Sequence, residues 1–242
     1  MEFNIYDIYA DASINLDNKL GCSGIVVVDR KKDTIVDTWY LIKREATNNM
    51  CEIIAIWMAV YKAIMLFGKE ELPFQVNIFS DSQISLFGLR EWITSWISKR
   101  HGNELFGSNG RVANQEWFLN AYQSIVYSNL KLKFWHQKAH VDTTNPNSLF
   151  LCDKAFRTSN PNTLHMIGLR PEIIAKYNNF VDETSRNIII GLMSGQQVYS
   201  YNVSDVPIIP MAFNIDDNTI PVYESLIRGG LNYPINFNGG IK

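Results

Sequence analysis

Four acidic residues stand at the ends of expected secondary-structure elements: Asp11, Glu52, Asp81 and Asp153. Asp11 closes a first strand and Asp81 a later one. Glu52 falls in the first turn of a long helix, and Asp153 in the first turn or so of a helix that follows the last strand. If the strands of Asp11 and Asp81 are neighbours, their carboxylates emerge at one edge of the sheet, where the two helix starts can bring Glu52 and Asp153. Carboxylates gathered so closely repel unless cations intervene, and hard oxygen donors select Mg2+ or Mn2+. Two such ions about 4 Å apart can activate a water and stabilise the leaving oxygen of a phosphodiester. Singly, each residue has a plainer reading. A strand-end aspartate usually serves a turn, a glutamate at a helix start complements the dipole, and His140 alone reads as a loop histidine.

The elements that must carry these residues follow from hydrophobic period. Asn4 to Asp11, Gly21 to Asp29 and Thr34 to Arg44 read as strands, joined by short polar connections at Asn15–Lys19 and Arg30–Asp33 into an antiparallel meander. The period then changes: Glu52, Ile53, Ile56, Val60, Ile64 and Phe67 recur at helical steps, with capping side chains in Thr47-Asn48-Asn49 and a terminator in Gly68. Phe74 to Ser80 is a buried-type strand, reached by a parallel crossover. Helical patterns cover 83–90, 91–100 and 114–128, Lys131–His136 is a last strand, and a helix begins near Ser148. The expected fold is α/β: a five-stranded mixed sheet, three antiparallel strands then parallel ones, with helices on both faces.

Composition shifts near Arg157. The remainder holds six of the eight prolines and eleven asparagines. Pro171 to about Met193 reads as one helix with proline in its first turn, and from Gln197 short apolar runs are broken by prolines and glycines. The expected domains are 1–157 and a C-terminal extension, 158–242, docked on the first by its apolar side or joining a second copy of the chain. Apolar residues make up 46% and charged residues 19% of the 242, the balance of a globular protein. No run of about 20 apolar residues stands out as a membrane span. The start lacks a basic segment, and Cys22, Cys51 and Cys152 show no paired spacing, so an intracellular, reducing, cytoplasmic setting is expected. Net charge is −2, but residues 90–140 carry 7 Lys+Arg against 3 Asp+Glu. A basic segment beside an acidic cluster suits a chain that grips phosphates and holds cations.

Neighbouring residues sharpen this. Tyr9-Ala10-Asp11-Ala12-Ser13, Ala46-Thr47-Asn48-Asn49-Met50-Cys51-Glu52 and Ser80-Asp81-Ser82-Gln83 are followed by Trp92-Ile93-Thr94-Ser95-Trp96 and Asn114-Gln115-Glu116-Trp117. Trp135-His136-Gln137-Lys138-Ala139-His140 and Cys152-Asp153-Lys154-Ala155 complete the series. In order and spacing, over about residues 3–157, these segments closely resemble the type-1 ribonuclease H family. The resemblance implies a ribonuclease H-like fold and a hydrolase that cuts the RNA strand of RNA–DNA hybrids with two Mg2+ ions, Mn2+ substituting, to leave 5′-phosphate and 3′-hydroxyl ends. It implies that Asp11 bridges both metals, that Glu52 and Asp81 complete one site and Asp153 the other, and that His140 assists proton traffic or product release. Asn48 and Gln83 would read the RNA strand near its 2′-hydroxyls. Asn49, Asn114 and Ser13 would face the hybrid, and Thr47 would bind a DNA phosphate. Trp92, Trp96 and Trp117, with Lys99 and Arg100, would form a handle against the DNA strand, although packed core aromatics are an equal reading of the tryptophans. Ala12 and Ala139 stand where the family usually has glycine, so a methyl at 12 is expected to crowd the substrate backbone. Asp17, if it aligns with the family's phosphate-contacting asparagine, would repel that phosphate, and Asn15 or Asn18 could serve instead after a register shift. A resolvase or exonuclease on the same fold, or a non-enzymatic binding module, are the competing readings.

Overall fold

A computed structural model describes residues 5–67, 75–127, 130–160, 169–194 and 219–222. Residues 1–4, Gly68, Phe74, Ser128 and the apolar runs expected beyond 197, apart from 219–222, lie outside the described residues. The strands are β1 (Ile5–Asn15), β2 (Leu20–Asp29), β3 (Thr34–Lys43), β4 (Gln75–Ser80), a small hairpin β5 (Phe106–Gly107) and β6 (Gly110–Arg111), β7 (Lys131–His136) and β8 (Thr219–Val222). The helices are α1 (Asn48–Phe67), α2 (Gln83–Phe87), α3 (Ile93–Ser98), α4 (Gln115–Tyr127), α5 (Pro146–Ser159) and α6 (Pro171–Met193). A wider π-helical turn, Gly88–Trp92, joins α2 to α3.

The main sheet runs β7-β4-β1-β2-β3-β8. Its first three strands in sequence pair antiparallel, and β4 and β7 add in parallel beside β1. This is the expected five-stranded mixed sheet, with β8 antiparallel at the β3 edge as a sixth strand. Strands 1 and 4 are indeed neighbours, because β1 is central and short connections keep β2 and β3 on its other side.

Both faces are covered, which explains why the central strands read as nearly continuous apolar runs. Alternate residues serve different cores. Ile8 and Ala10 of β1, Ile25 and Val27 of β2, and Val76 and Ile78 of β4 pack beneath α1 and α4. The intervening Tyr9, Val26, Val28 and Phe79 pack with Phe156 of α5 and with Ile174, Tyr177 and Val181 of α6. Helix α6, which falls in the expected extension, thus shares a core with the central strands. Gly24 makes its close approach possible: a Cβ there would lie 2.6 Å from Ser185 Oγ of α6 and 2.7 Å from the Tyr40 ring.

Helix α1 is long and apolar enough to cross a membrane, contrary to the reading that no segment approaches that length. Its burial gives it another role. It is the core helix, and even its Lys62 is buried, paired with Asp37 and lying over the Trp39 ring at 4.4 Å. The three cysteines are free and buried. A polar network links three strands beneath α5: Arg30 clamps both oxygens of Asp7 at 2.7 and 2.6 Å, Asn77 donates to Asp7 at 2.9 Å, and Trp135 donates to Asn77 at 2.9 Å.

Candidate metal centre

The pleat of β1 decides where its acids point. Asp7, Tyr9 and Asp11 share one face, and Tyr9 meets Tyr177 of α6 with ring centroids 5.4 Å apart. Asp11 is therefore on the α6 side. Asp81 lies one residue beyond β4, in step with Asn77 and Phe79, and β1 and β4 run parallel, so both acids reach the same edge. Glu52 comes from the other layer. Thr47 caps α1 by accepting from the Met50 N–H at 3.3 Å, and the helix opens at Asn48. Glu52 consequently falls in the second turn rather than the first.

Oxygens of Asp11, Glu52 and Asp81 lie within 4.8 Å of one another. Asp11 is 3% exposed and Glu52 6%. Burial pushes the Asp11 carboxyl well above the usual range, and the Asp81 charge pushes it further, against a 2.7 Å hydrogen bond from the Ala12 N–H. Burial, then Asp11, Asp81 and Asp182, push Glu52 well up. Asp81 is raised by burial, against a hydrogen bond from Asn178 and the nearby His140. Glu52 Oε2 is buried with no hydrogen-bond partner among the described residues. Repelling carboxylates and an orphaned oxygen are what a divalent cation would satisfy, so these residues fit Mg2+ or Mn2+.

Asp153 is not in this group. Asn145 caps α5 and Pro146 opens it, which sets Asp153 two turns into the helix rather than in its first turn. Its carboxylate there accepts from Arg157 at 2.8 Å, one turn on. His140 is exposed on its loop, with backbone φ of 48°, and its Nδ1 lies 3.2 Å from Asp182 of α6. Asp182, Asn178 and Arg186 were not singled out by sequence. Their spacing of four residues, on a helix whose Ile174, Val181 and Ile188 are buried, is the signal that could have found them. Asn178 accepts a hydrogen bond from Gln137, and Arg186 donates to Asp182 at 2.8 Å.

The expected substrate contacts divide. Thr47, Asn48 and Asn49 are exposed at the start of α1, Gln83 is exposed at the start of α2, and Ser13 is half-buried near the end of β1. Asn49, Trp92, Trp96, Lys99 and Asn114 line one groove of about 550 Å³ with Arg111 and the β5–β6 turn. Arg100 is exposed but is not among its lining residues. Trp117 does not face the groove. It is 3% exposed and packs edge-on to Trp57 at 5.3 Å, so for this tryptophan the core reading holds. Ala12 also corrects an expectation. It points away from Asp11, into a pocket of Ala46 and Cys51, because neighbouring strand residues face opposite ways. Asp17 is exposed in the turn after β1.

A family model described as RNase H matches residues 4–159. Among solved structures, RNase H1 from the halophilic archaeon Halobacterium salinarum NRC-1 is 16% identical, with 56% of this chain and 86% of that chain covered at a TM-score of 0.41. The PFV RNase H domain is 18% identical, with 65% and 94% covered at 0.45. LC11-RNase H1 in complex with RNA/DNA hybrid is 18% identical, with 63% and 97% covered at 0.42. No curated protein matches the chain. The family match spans well over half of the sequence and takes in Asp11, Glu52 and Asp81, and the chain belongs to the RNase H family.

Proposed function

We propose that this ribonuclease H hydrolyses the RNA strand of RNA–DNA hybrids endonucleolytically, using two divalent cations, Mg2+ or Mn2+, and leaving 5′-phosphate and 3′-hydroxyl ends. The observation that carries the reading is the Asp11–Glu52–Asp81 cluster, within 4.8 Å and with one glutamate oxygen unpartnered among the described residues. Asp11, Glu52 and Asp81 would hold the cations. Bound there, the cations supply an activated water and stabilise the leaving oxygen.

The remaining work belongs to side chains. Asn48 and Gln83, exposed at two helix starts beside the cluster, offer amides that can hydrogen-bond 2′-hydroxyls and so prefer RNA over DNA. The Trp92–Trp96 groove, with Lys99 and Arg111 on its walls, suits the partner strand by stacking and by phosphate neutralisation. The His140 imidazole, exposed on its loop and anchored through Nδ1 to Asp182, is available to carry a proton at the cleavage site.

The test is cleavage of an RNA–DNA hybrid with Mg2+, with EDTA, and after Asp11→Asn, beside double-stranded DNA of the same sequence. Cleavage should need the cation and prefer the hybrid. Asp11→Asn should lose more than about a hundredfold, roughly 2.7 kcal/mol of barrier. Full activity in EDTA would sink the metal reading, and equal cutting of both duplexes would move the function toward a resolvase.

A further inference from the structure

We infer that α6 is the positioning element for His140: Asn178, Asn179 and Asp182 hold in place the loop and the ring of this histidine. The inference rests on the reading of His140 as a proton carrier at the cleavage site. It gives a part in the reaction to a helix outside the segment that matches the family, which ends at residue 159.

The loop leaves the sheet beside the metal centre. Strand β7 lies parallel to β4 with His136 opposite Ser80, and the Gln137 N–H donates to the Ser80 carbonyl at 3.0 Å, one residue before Asp81. Two hydrogen bonds to α6 then fix the span that follows. At its start, the Gln137 side chain donates to Asn178 Oδ1, and both residues are 1% exposed. At its end, Asn179 Nδ2 donates to the Val141 carbonyl at 2.7 Å. Val141 is buried as well, packed with Cys152 of α5 and with Ala175, one turn earlier on α6. Adjacent residues of one helix thus hold the loop at two points four residues apart. His140 stands between those points with a backbone φ of 48°. A residue other than glycine keeps this left-handed conformation only where its surroundings impose it.

The ring is placed by the same helix. Its Nδ1 lies 3.2 Å from Asp182 Oδ2, one turn beyond Asn178, and Arg186 donates to that same oxygen at 2.8 Å, which holds the carboxylate still. The Asp182 side chain is 14% exposed and that of His140 72%. The ring is therefore open on one side and backed by a fixed acceptor on the other. A carboxylate facing Nδ1 keeps the proton there and leaves the Nε2 lone pair free to take one.

The experiment is steady-state cleavage of an RNA–DNA hybrid with Mg2+ by the full chain carrying Asn179→Ala, Asp182→Ala or His140→Ala, and by the two double variants that include His140→Ala. Glu183→Gln, an exposed change of charge on the same helix, is the control, and circular dichroism checks folding. His140→Ala should lower kcat by about a hundredfold, as loss of an acid–base group does. Asn179→Ala and Asp182→Ala should each lower it by about tenfold through misplacement of the ring, with KM within about twofold and Glu183→Gln unchanged. On the His140→Ala background the same two substitutions should cost nothing more, because residues that act through one side chain are not additive. Undiminished losses on that background, or wild-type kcat in both folded single variants, overturn the inference while leaving His140 its role. Wild-type kcat in His140→Ala alone removes the proton-carrying reading, and the inference with it. If neither α6 variant folds, nitrogen-15 spectra of the unaltered protein decide: in the neutral His140 ring, a proton on Nδ1 supports the inference and a proton on Nε2 overturns it.

Discussion

Replacing Gly24 by alanine tests whether α6 is a working part of the enzyme. The added Cβ would stand 2.6 Å from Ser185 Oγ and 2.7 and 2.9 Å from two carbons of the Tyr40 ring. The closest of these falls short of the ordinary 3.4 Å contact by about 0.8 Å. The Ser185 hydroxyl can rotate, but the Tyr40 ring is buried and stiff, so part of the strain must be met by lifting α6. Overpacking of this kind costs about 1–3 kcal/mol, or a drop of about 2–12 °C in Tm for a chain of this size. The functional loss should be larger than the instability alone explains, because a shift of about 1 Å at a catalytic geometry can cost on the order of a hundredfold. Differential scanning calorimetry and hybrid cleavage at a temperature where the variant is fully folded separate the two effects. Adding Ser185→Ala should restore part of both. Wild-type Tm and wild-type turnover in Gly24→Ala would refute the packing argument and the functional link together.

Other outcomes follow from the same geometry. Asp7→Ala leaves the Arg30 guanidinium, whose side chain is 11% exposed, buried without its partner, and should cost about 3–5 kcal/mol in urea unfolding; a loss below about 1 kcal/mol would mean that water replaces the carboxylate. Trp117→Ala should cost about 3–5 kcal/mol of stability, whereas Trp92→Ala, at a residue 39% exposed, should spare Tm and weaken hybrid binding; the reverse pattern would exchange their roles. Without cations, the raised carboxyls of Asp11 and Glu52 mean that the folded state keeps protons that the unfolded state has released above the ordinary values of 3.8 and 4.5. The stability of the EDTA-treated protein should therefore fall as pH rises from those values through the raised folded ones, and Mg2+ should reverse the fall at neutral pH. The slope should shrink in Asp11→Asn, and an unchanged slope would show that other groups set it.

Periodicity exposed most of the architecture because both determinants are local. The helix read from Pro171 to Met193 has those bounds, since proline fixes its first turn and its apolar residues keep a helical step. The sheet was equally legible, because alternation in β1 and unbroken apolar runs in β2 mark strands covered on both faces. Asp11 and Asp81 could be named because their strands are parallel neighbours that carry them to the same place, although Asp11 lies within β1, which runs on to Asn15, and does not close it. Asp153 shows where such reasoning stops. Its sequence neighbourhood is shared with the family, but Asn145 and Pro146 start α5 early, and Arg157 lies one turn away to take the carboxylate. Asp182 could not be found from spacing to the other acids, since its approach depends on a glycine more than 150 positions earlier in the chain.

The alternation in β1 has a consequence for how the gene can vary. Asp7, Tyr9 and Asp11 face one layer, and Ile8, Ala10 and Ala12 the other, so a strand that slips by one residue exchanges the two sets. Asp7 would lose Arg30 and enter the apolar layer under α1, and Asp11 would leave the metal cluster, while the isoleucine took the place of a charge. Substitutions within Ile5–Asp11 damage one contact at a time. An in-frame loss or gain of a single codon there would destroy packing and chemistry at a stroke, and this strand should tolerate far fewer length changes than changes of residue.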